Sequence, residues 1–393
     1  MFDSPSALSD HLRSSTTPLR ITANGSWLHS GRPVLPAPHL SVQAMRGIVE
    51  YIPGDLTITV RAGTSHTEID AATFQEGQWL GLDPAGADLG TIGATIATAS
   101  VGPLVHGIGA VRDIVLGMEV VAGNGIITRS GGKVVKNVAG FDLVRLQTGA
   151  WGTLGVITEV SLRLRARPER DETVGIELDA RTPLLAHLVR LRNLTLSPLA
   201  VELIGAPLAT LLGISDQQIF LIRLGGNETR VTSQRAQLAK LGSLIDCPAA
   251  VWESLRSIEH DATASGSEGS LHSVARVSHL PSQLSHAWSH VQSELGSASF
   301  TTILARATVS RGIVRVIVPH PPNLSVDHYH AAIASVTRTL APPGGHVVWE
   351  QLPDVAWGNV PSSVADSLSH GLQRTFDPQH RCNSGILGAT FVA

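Results

Sequence analysis

The chain has 393 residues, of which 43% are hydrophobic and 16% are charged, and its formal net charge is −3. This length and apolar content suit two or three domains with cores of their own, and they exclude a disordered chain. The slightly acidic balance, without any run of five charged residues, argues against a nucleic-acid or anionic-membrane role.

The cysteine content and the first residues indicate the compartment. Cys247 and Cys382 are the only cysteines, too few for a disulfide framework or a Cys-rich metal site, so a reducing compartment fits. Residues 1–13 contain no basic stretch followed by an apolar run, so we expect no secretory signal and a cytoplasmic protein. Residues 89–111 lack Asp, Glu, Lys and Arg, but their many glycines argue against a membrane-spanning helix.

The first region of the chain ends near Pro168 and is rich in glycine. Ser65 followed by Glu68 has the spacing of a capping box and predicts a short helix. Thr91 is a suitable N-cap for a helical turn that runs to Thr98. Apolar runs and one strict alternation predict strands at residues 19–22, 47–51, 56–61, 111–121, 126–129 and 160–165.

Beyond Pro168 the sequence shows ordinary strand and helix patterns. Strands are predicted at residues 173–178, 198–204, 218–224, 271–277, 299–306, 312–318 and 346–349. Helices are predicted at residues 182–194, 228–241, 281–295 and 326–340. Such repeats favour an α+β layer with the helices on one face of the sheet.

Three glycine-rich segments carry the first functional signal: Thr22–Ser26, Gly90–Ala94 and Gly149–Gly155. Each can present bare backbone N–H groups to a phosphate, and the second suits this best because a helix would begin after Thr91. A single glycine loop is more often a plain tight turn. The sequence has no early G-x-G-x-x-G fingerprint, no Walker phosphate loop and no G-x-S-x-G elbow. Nicotinamide, ATP and serine-hydrolase chemistry therefore lose their usual support.

The 17 histidines raise the alternative of a metal site. His286 and His290 lie four residues apart but lack the Glu of the H-E-x-x-H motif, and His328 and His330 fit a polar helix start. We therefore expect no metal. His346, which follows a Gly-Gly pair, is a candidate catalytic base, with a structural role at a strand start as the alternative.

Residues 111–121, 131–146 and 148–158, in that order, resemble the FAD domain of flavoproteins of the vanillyl-alcohol-oxidase family, whose FAD-binding domain is called PCMH-type. The phrase Lys136–Gly140, followed by Asp142 and Leu143, is similar in particular to the FAD-binding E subunits of bacterial glycolate oxidases. Weaker likeness extends to residues 24–26, 344–348, 376–378 and 383–385. Departures from the family pattern are Ala23, Phe141 and Ser384, together with Leu104 and Val105, which stand in place of more polar residues.

The resemblance implies an α+β fold in three parts. Residues 1–168 would form a PCMH-type FAD-binding domain of two α+β subdomains. Residues 169–343 would form an α+β cap or substrate domain with an antiparallel sheet. Residues 344–393 would form a C-terminal segment that packs back near the FAD domain.

The cofactor implied is FAD, and we expect it to be non-covalent because residues 22–27 contain no His, Cys or Tyr that could attack the flavin methyl group. His29 is the nearest exception, and an ordinary loop residue is its alternative role. Lys136 is a candidate cationic contact to FAD or to a neighbouring subunit, the alternative being a solvated lysine. The candidate cofactor-binding residues are Asn24, Gly25, Ser26, Gly90, Thr91, Gly93, Gly102, Lys136, Asn137, Gly140, Asp142, Gly152, Thr153, Gly155 and Ile157.

One departure concerns catalysis. Family members that oxidise 2-hydroxy acids on their own resemble one another in a stretch H-x-G-D-G-N-x-H, which this sequence lacks. The resemblance therefore implies an FAD-binding subunit of a glycolate oxidase or dehydrogenase complex, with a paralogous larger flavin subunit and an iron–sulfur subunit as partners. Peripheral attachment to the inner membrane through those partners stays open. The alternatives are a stand-alone FAD-dependent oxidoreductase acting on another small 2-hydroxy acid or alcohol, and an assembly subunit without flavin.

Overall fold

A computed structural model describes residues 2–28, 30–34, 37–86, 90–132, 142–264, 272–298, 300, 302–320 and 324–389, without the side chains of residues 260–264. These residues form two compact units. The first unit comprises Met1–Gly102, Gly109–Arg167 and Pro361–Ala393, and the second comprises Pro103–Ile108 and Pro168–Val360.

The first unit contains nine short strands and five α-helices before residue 168, counted over its described residues. The strands are β1 (Arg20–Thr22), β2 (His39–Ser41), β3 (Ile48–Ile52), β4 (Thr57–Arg61), β5 (Gln78–Trp79), β6 (Val115–Ala122), β7 (Ile127–Gly131), β8 (Gly155–Arg163) and β9 (Arg165–Ala166). The helices are α1 (Pro5–Ser14), α2 (His66–Phe74), α3 (Ile92–Thr98), α4 (Val111–Ile114) and α5 (Leu143–Gln147). Five strands form an antiparallel sheet in the order β3-β4-β8-β6-β7. β1 pairs with β2 in parallel, and β5 pairs with β9 in antiparallel.

Local sequence explains several of these elements. The predicted capping box is present at the start of α2, where Ser65 and Glu68 exchange side-chain to backbone hydrogen bonds. α3 begins after the predicted N-cap Thr91. The end of β8 alternates as predicted, since Val160 and Leu162 are fully buried.

α4 and α1 are among the elements of the first unit that differ from the sequence-based expectation. Residues 111–114, predicted as the start of a strand, form α4, because the Asp113 carboxylate accepts a hydrogen bond from the Ala110 N–H at 3.0 Å and caps a helical turn. α1 was not predicted. Ser4 caps it, and Leu8 and Leu12 on its inner face are fully buried.

The second unit is an eight-stranded sheet in the order β13-β10-β12-β11-β15-β16-β14-β17, and all its neighbouring strands are antiparallel. Its strands are β10 (Arg170–Glu177), β11 (Ala200–Ile204), β12 (Ile219–Gly226), β13 (Ile245–Cys247), β14 (His272–Ser278), β15 (Leu304–Thr308), β16 (Ile313–Pro319) and β17 (His346–Gln351). Its helices are α6 (Leu184–Arg192), α7 (Ala206–Leu211), α8 (Glu228–Leu238), α9 (Val251–Ala264), α10 (Leu284–Ser297) and α11 (Val326–Val336). The prediction of an α+β fold with an antiparallel sheet is confirmed.

The prediction that helices cover only one face of this sheet is wrong. One face packs with α10 and α11 in the main core, which includes Val201 and Leu203. The opposite face of the same strand, with Ala200 and Ile204, packs with α7 and α9. Because successive residues of a strand point to opposite faces, the adjacent apolar pairs on either side of Glu202 in β11 signal burial on both sides.

The C-terminal boundary also differs from the expected one. Residues 344–360, assigned from the sequence to the C-terminal segment, belong to the second unit, because β17 extends its sheet by pairing with β14. Residues from Pro361 onward belong to the first unit and include α12 (Ser367–Phe376). In the described part of the chain, no helix has both the length and the apolar character needed to cross a membrane.

Candidate functional site

The first unit contains a cavity of about 100 Å³ at the point where its glycine-rich segments meet. Four parts of the chain supply most of its lining: the loop after β1, helix α3, the segment that leads into β8, and the C-terminal segment. The lining residues are Arg20–Leu28, Val42, Ala62, Thr91, Gly93, Ala94, Ala97, Thr98, Gln147, Trp151, Gly152, Gly155–Ile157, Asn383 and Ile386.

The loop after β1 offers bare backbone donors to this cavity. Gly25 has φ +79°, and a side chain there would meet no atom within 4 Å. Among the described residues, nothing accepts a hydrogen bond from the N–H groups of Gly25 or Ser26. Consecutive N–H groups in a turn of this kind form a concavity that binds anions. The N–H groups of Gly25 and Ser26 are therefore candidate donors for a phosphate group.

Asn383 connects β1, which leads into this loop, to the segment before β8. Its Oδ1 accepts a hydrogen bond from the Ile21 N–H at 2.8 Å, and its Nδ2 donates to the Trp151 carbonyl at 2.7 Å. Asn383 is buried and has φ +45°, a left-handed conformation that asparagine tolerates better than most residues. This one side chain fixes two walls of the cavity relative to each other.

Close approach requires the glycines of the third segment. A Cβ on Gly152 would lie 2.8 Å from Asn383 Nδ2, and its φ is +70°. A Cβ on Gly155 would lie 2.6 Å from the Val121 carbonyl oxygen in β6. Both positions need glycine for packing, so their contribution to the cavity is to place its walls.

The start of α3 differs from the expectation that it suits a phosphate best. Its first three N–H groups are already used: Ile92 donates to the Thr64 carbonyl at 2.9 Å, Gly93 to the Ala62 carbonyl at 2.8 Å, and Ala94 to Thr91 Oγ1 at 3.4 Å. The helix therefore has no donor at its start left for an anion. Its contribution is a wall of small side chains.

The packing around Gly93 gives a first prediction. A Cβ at this position would meet the Ala62 Cβ at 2.7 Å and the Ala62 carbonyl oxygen at 2.8 Å. We expect Gly93→Ala to lower the free energy of unfolding of the first unit by about 1–3 kcal/mol, as overpacking does. Cofactor affinity should fall only together with stability. Chemical denaturation of the purified variant measures this.

The matched control is Gly371→Ala in α12, where nothing lies within 4 Å of the added methyl group. That change should be neutral or stabilising, because alanine favours the helix. A stable Gly93→Ala variant would contradict the packing role of this glycine.

The structure groups the sequence-predicted cofactor residues unequally. Asn24, Gly25, Ser26, Thr91, Gly93, Gly152, Gly155 and Ile157 line the cavity. Gly90, Gly102, Asp142 and Thr153 do not. Lys136, Asn137 and Gly140 lie outside the described residues, as do His29 and Phe141.

The residues away from the cavity have local roles. Gly102 packs against Asp83, whose carbonyl oxygen leaves no space for a Cβ. Asp142 caps α5 by accepting a hydrogen bond from the Arg145 N–H at 3.0 Å. Thr153 donates to the Ala150 carbonyl at 2.7 Å. These contacts account for the three residues as structural elements of their loops.

Sequence reasoning missed several lining residues, notably Arg20, Trp27 and Trp151. The two tryptophan rings meet edge to face, with centroids 5.7 Å apart and an interplanar angle of 87°. Tryptophans in glycine-rich loops were the available signal for Trp27 and Trp151. For Arg20, inside a strand pattern, the sequence offered no signal.

The histidine candidates lie in the second unit. His346 is the first residue of β17, is exposed, and faces Ser278 in the strand register. Its catalytic role stays a prediction. His286 and His290 stack on α10 with ring centroids 6.2 Å apart, and His290 contacts the Thr339 carbonyl at 2.7 Å. Over the described residues, no three His, Cys, Asp or Glu side chains cluster as metal ligands do.

Comparison with known families assigns part of the first unit to a family of domains. Residues 5–131 match the family model described as "FAD binding domain". This match covers the loop after β1 and α3, two of the four parts of the chain that line the cavity. Residues 5–131 thus belong to an FAD-binding domain, the fold is of the PCMH type that the sequence resemblance implied, and FAD is the cofactor.

Among relatives of known sequence, the chain is similar to two subunits of glycolate oxidases. The chain is 42% identical over 166 residues to the glycolate oxidase subunit GlcE of Escherichia coli, a match covering 42% of this chain and 47% of that protein. It is 35% identical over 175 residues to the glycolate oxidase subunit GlcD of Bacillus subtilis, covering 44% of this chain and 36% of that protein. The matches thus span less than half the length of either relative.

Solved structures agree on the fold. The chain superposes on p-cresol methylhydroxylase with a TM-score of 0.76 and 14% identity, covering 98% of this chain and 88% of that one. It superposes on 4-ethylphenol oxidase from Gulosibacter chungangensis with a TM-score of 0.74 and 15% identity, over the same shares. At these identities the likeness extends to the fold alone.

The donor set of the cavity fits FAD. The N–H groups of Gly25 and Ser26 suit a pyrophosphate, and the apolar side chains of Val42, Val156 and Ile386 suit a ring. A cavity of about 100 Å³ is smaller than the roughly 300–1,000 Å³ of typical small-molecule sites, so these residues would hold one part of the cofactor. Bound FAD would supply the redox chemistry, and the protein its position and electrostatic surroundings.

Proposed function

We propose that the chain is the FAD-binding subunit of a glycolate-oxidising complex. The observation that carries this proposal is the 42% identity to GlcE, a glycolate oxidase subunit. The cavity built from Gly25, Ser26, Gly152 and Asn383 supports it, because it supplies a place for the cofactor. In this proposal the complex oxidises glycolate to glyoxylate, and FAD is bound non-covalently.

In such a complex, glycolate oxidation and electron transfer would take place in other subunits. The H-x-G-D-G-N-x-H stretch is absent from the sequence, and two separate cysteines cannot ligate an iron–sulfur cluster. We therefore assign glycolate oxidation to a larger paralogous flavin subunit and onward electron transfer to an iron–sulfur subunit. The second unit of this chain is the proposed cap. The complex would be cytoplasmic, or peripheral at the inner membrane through the partner subunits.

The proposal predicts that the purified, flavin-loaded chain does not oxidise glycolate with an artificial electron acceptor. Activity should appear when the larger flavin subunit and the iron–sulfur subunit are added. Dye-linked glycolate turnover of each combination measures this. Acid precipitation of the chain should release the flavin into the supernatant.

Two results would favour other functions. Robust glycolate turnover by the chain alone, lost in His346→Ala, would make this protein the enzyme itself with His346 as its base. A purified chain whose visible spectrum shows no flavin, and which takes up none, would indicate an assembly subunit.

A further inference from the structure

The cavity contains a buried cation that the sequence patterns did not indicate. Arg20 lies in β1, is only 8% exposed, and lines the cavity beside the Gly25 loop. Its Nη2 donates to the carbonyl oxygens of Trp27 at 3.2 Å, Leu28 at 3.1 Å and Ser30 at 3.5 Å. All three bonds come from one nitrogen, so the Nε and Nη1 donors are not used by these carbonyls.

No carboxylate balances this charge within the described residues. Ion pairs in the described part of the first unit involve Arg46, Arg112, Arg129, Arg145 and Arg167 among others, and none of those described includes Arg20. Burial lowers the pKa of the Arg20 guanidinium, yet arginine stays protonated at neutral pH because its ordinary pKa lies so high. A buried charge without a partner is unfavourable, and an anion that enters the cavity would remove that penalty.

We propose that Arg20 is the cationic contact of the FAD pyrophosphate in this chain. This rests on FAD as the cofactor and not on glycolate as the substrate. The guanidinium has two duties: through Nη2 it fixes the turn at residues 27–30, and through Nε and Nη1, which lie on different edges of the group, it offers N–H donors that can each contact a phosphate oxygen. The N–H groups of Gly25 and Ser26 supply the remaining donors.

This assignment gives the site a candidate cation besides Lys136. The sequence pointed to Lys136, which lies outside the described residues. Arg20 lies on β1, the strand that leads directly into the glycine loop. The guanidinium of Arg20 and the N–H groups of Gly25 and Ser26 therefore belong to one short stretch of chain that lines the cavity. A charge fixed by three carbonyls needs no rearrangement when the cofactor binds, which favours tight association.

The test compares Arg20→Gln and Arg20→Lys with the unchanged protein and with Arg46→Gln, a surface arginine of the same unit that is paired with Glu68. Apoprotein is titrated with FAD and, separately, with riboflavin, which lacks the pyrophosphate. We expect Arg20→Gln to weaken FAD binding about 10- to 100-fold, the range for losing a charge-assisted hydrogen bond. Arg20→Lys should lose less FAD affinity than Arg20→Gln, and Arg46→Gln should bind FAD as tightly as the unchanged protein does.

Two further readouts separate a charge contact from loop support. FAD affinity of the unchanged protein should fall as salt rises, and this dependence should be weaker in Arg20→Gln, while riboflavin affinity stays the same. Thermal unfolding of the apoproteins measures the contribution of Nη2 to the loop. Unchanged FAD affinity in Arg20→Gln would overturn the proposal, as would an equal loss of FAD and riboflavin binding. Tight FAD binding without glycolate turnover by the complex would contradict the proposed function and leave the role of Arg20 intact.

Discussion

Arg306→Met is expected to lower the free energy of unfolding of the second unit by about 3–5 kcal/mol, the cost of removing one partner from a buried ion network. Arg306 lies on β15, where its Nη1 contacts Glu202 at 2.8 Å and its Nε contacts Glu259 of α9. The side chains of all three residues are at most 4% exposed. Without the guanidinium, two buried carboxylates would face each other.

A second arginine extends the network along the same face of the sheet. Arg315 on β16 is the register partner of Arg306 and contacts Glu259 at 3.3 Å and Glu350 at 2.5 Å. Two guanidinium groups therefore serve three buried carboxylates. Removing either cation leaves more buried negative charge than the site can neutralise. The resulting loss in the free energy of unfolding should exceed the loss caused by substituting an ordinary surface arginine.

Because the network has one carboxylate more than it has guanidinium groups, substitutions of its glutamates should differ in their effect on stability. Burial raises the pKa of Glu202, more than Arg306 lowers it, and the Oε1 atom of Glu202 has no hydrogen-bond partner. For Glu259, burial acts in the same direction, but Arg306 and Arg315 together bring its pKa below the ordinary value. Glu202→Gln should therefore be neutral or stabilising at neutral pH, whereas Glu259→Gln should be destabilising.

The pH dependence has opposite signs at the two positions. A raised pKa means that the stabilising contribution of Glu202 is present below its unfolded-state pKa and is lost as pH rises through the folded-state value. The stability of Glu202→Gln relative to the unchanged protein should thus increase with pH. The contribution of Glu259 is present above its unfolded-state pKa and is lost as pH falls through the lowered value.

Urea denaturation at several pH values, followed by tryptophan fluorescence, measures these differences. Arg192→Met, an exposed arginine at the end of α6, is the control and should change stability by less than about 0.5 kcal/mol. If Arg306→Met were no less stable than Arg192→Met, the network would not be a determinant of stability. If Glu202→Gln lowered the free energy of unfolding as much as Glu259→Gln does, Glu202 would not be the excess carboxylate of the network.

The sequence predicted those parts of the fold that depend on local patterns. The capping box at Ser65 and Glu68 and the N-cap at Thr91 follow from backbone donors that need a nearby acceptor, and both are present. The alternation in β8 follows from one face being buried. α9 was not predicted, although its apolar residues Val251, Trp252 and Leu255 recur at helical spacing, because no N-cap residue marks its start.

The site was predictable in part for the same reason. Gly25 and Gly152 appear in glycine-rich loops, which signal close approach or left-handed backbone. The donors of α3 looked available from the sequence, but Thr64 and Ala62 from a distant part of the chain accept two of them. The position of Asn383 depends on its hydrogen bond with Ile21, 362 residues away, and no local pattern encodes such a contact.

Asn383→Asp is expected to weaken FAD binding more than tenfold and to lower the free energy of unfolding of the first unit by about 1–3 kcal/mol. The substitution keeps the size of the side chain and the acceptor for the Ile21 N–H. It replaces the donor to the Trp151 carbonyl with a carboxylate oxygen, so two acceptors would face each other where a 2.7 Å hydrogen bond stood. A negative charge would also enter a wall of the cavity that is to receive a pyrophosphate.

The pH dependence of this variant distinguishes the lost donor from general damage. Once protonated, the introduced carboxyl group would again donate to the Trp151 carbonyl, so the deficit in stability should shrink as pH falls through the pKa of that group.

The matched control is Asn124→Asp. Asn124 likewise donates through Nδ2, to the Thr375 carbonyl at 3.2 Å, and accepts through Oδ1 from the Ile126 N–H at 3.0 Å, but it does not line the cavity. FAD titration and urea denaturation of both variants should show lower stability in each and weaker FAD binding only in Asn383→Asp. Equal FAD affinities would mean that the link between Ile21 and Trp151 does not shape the cofactor site.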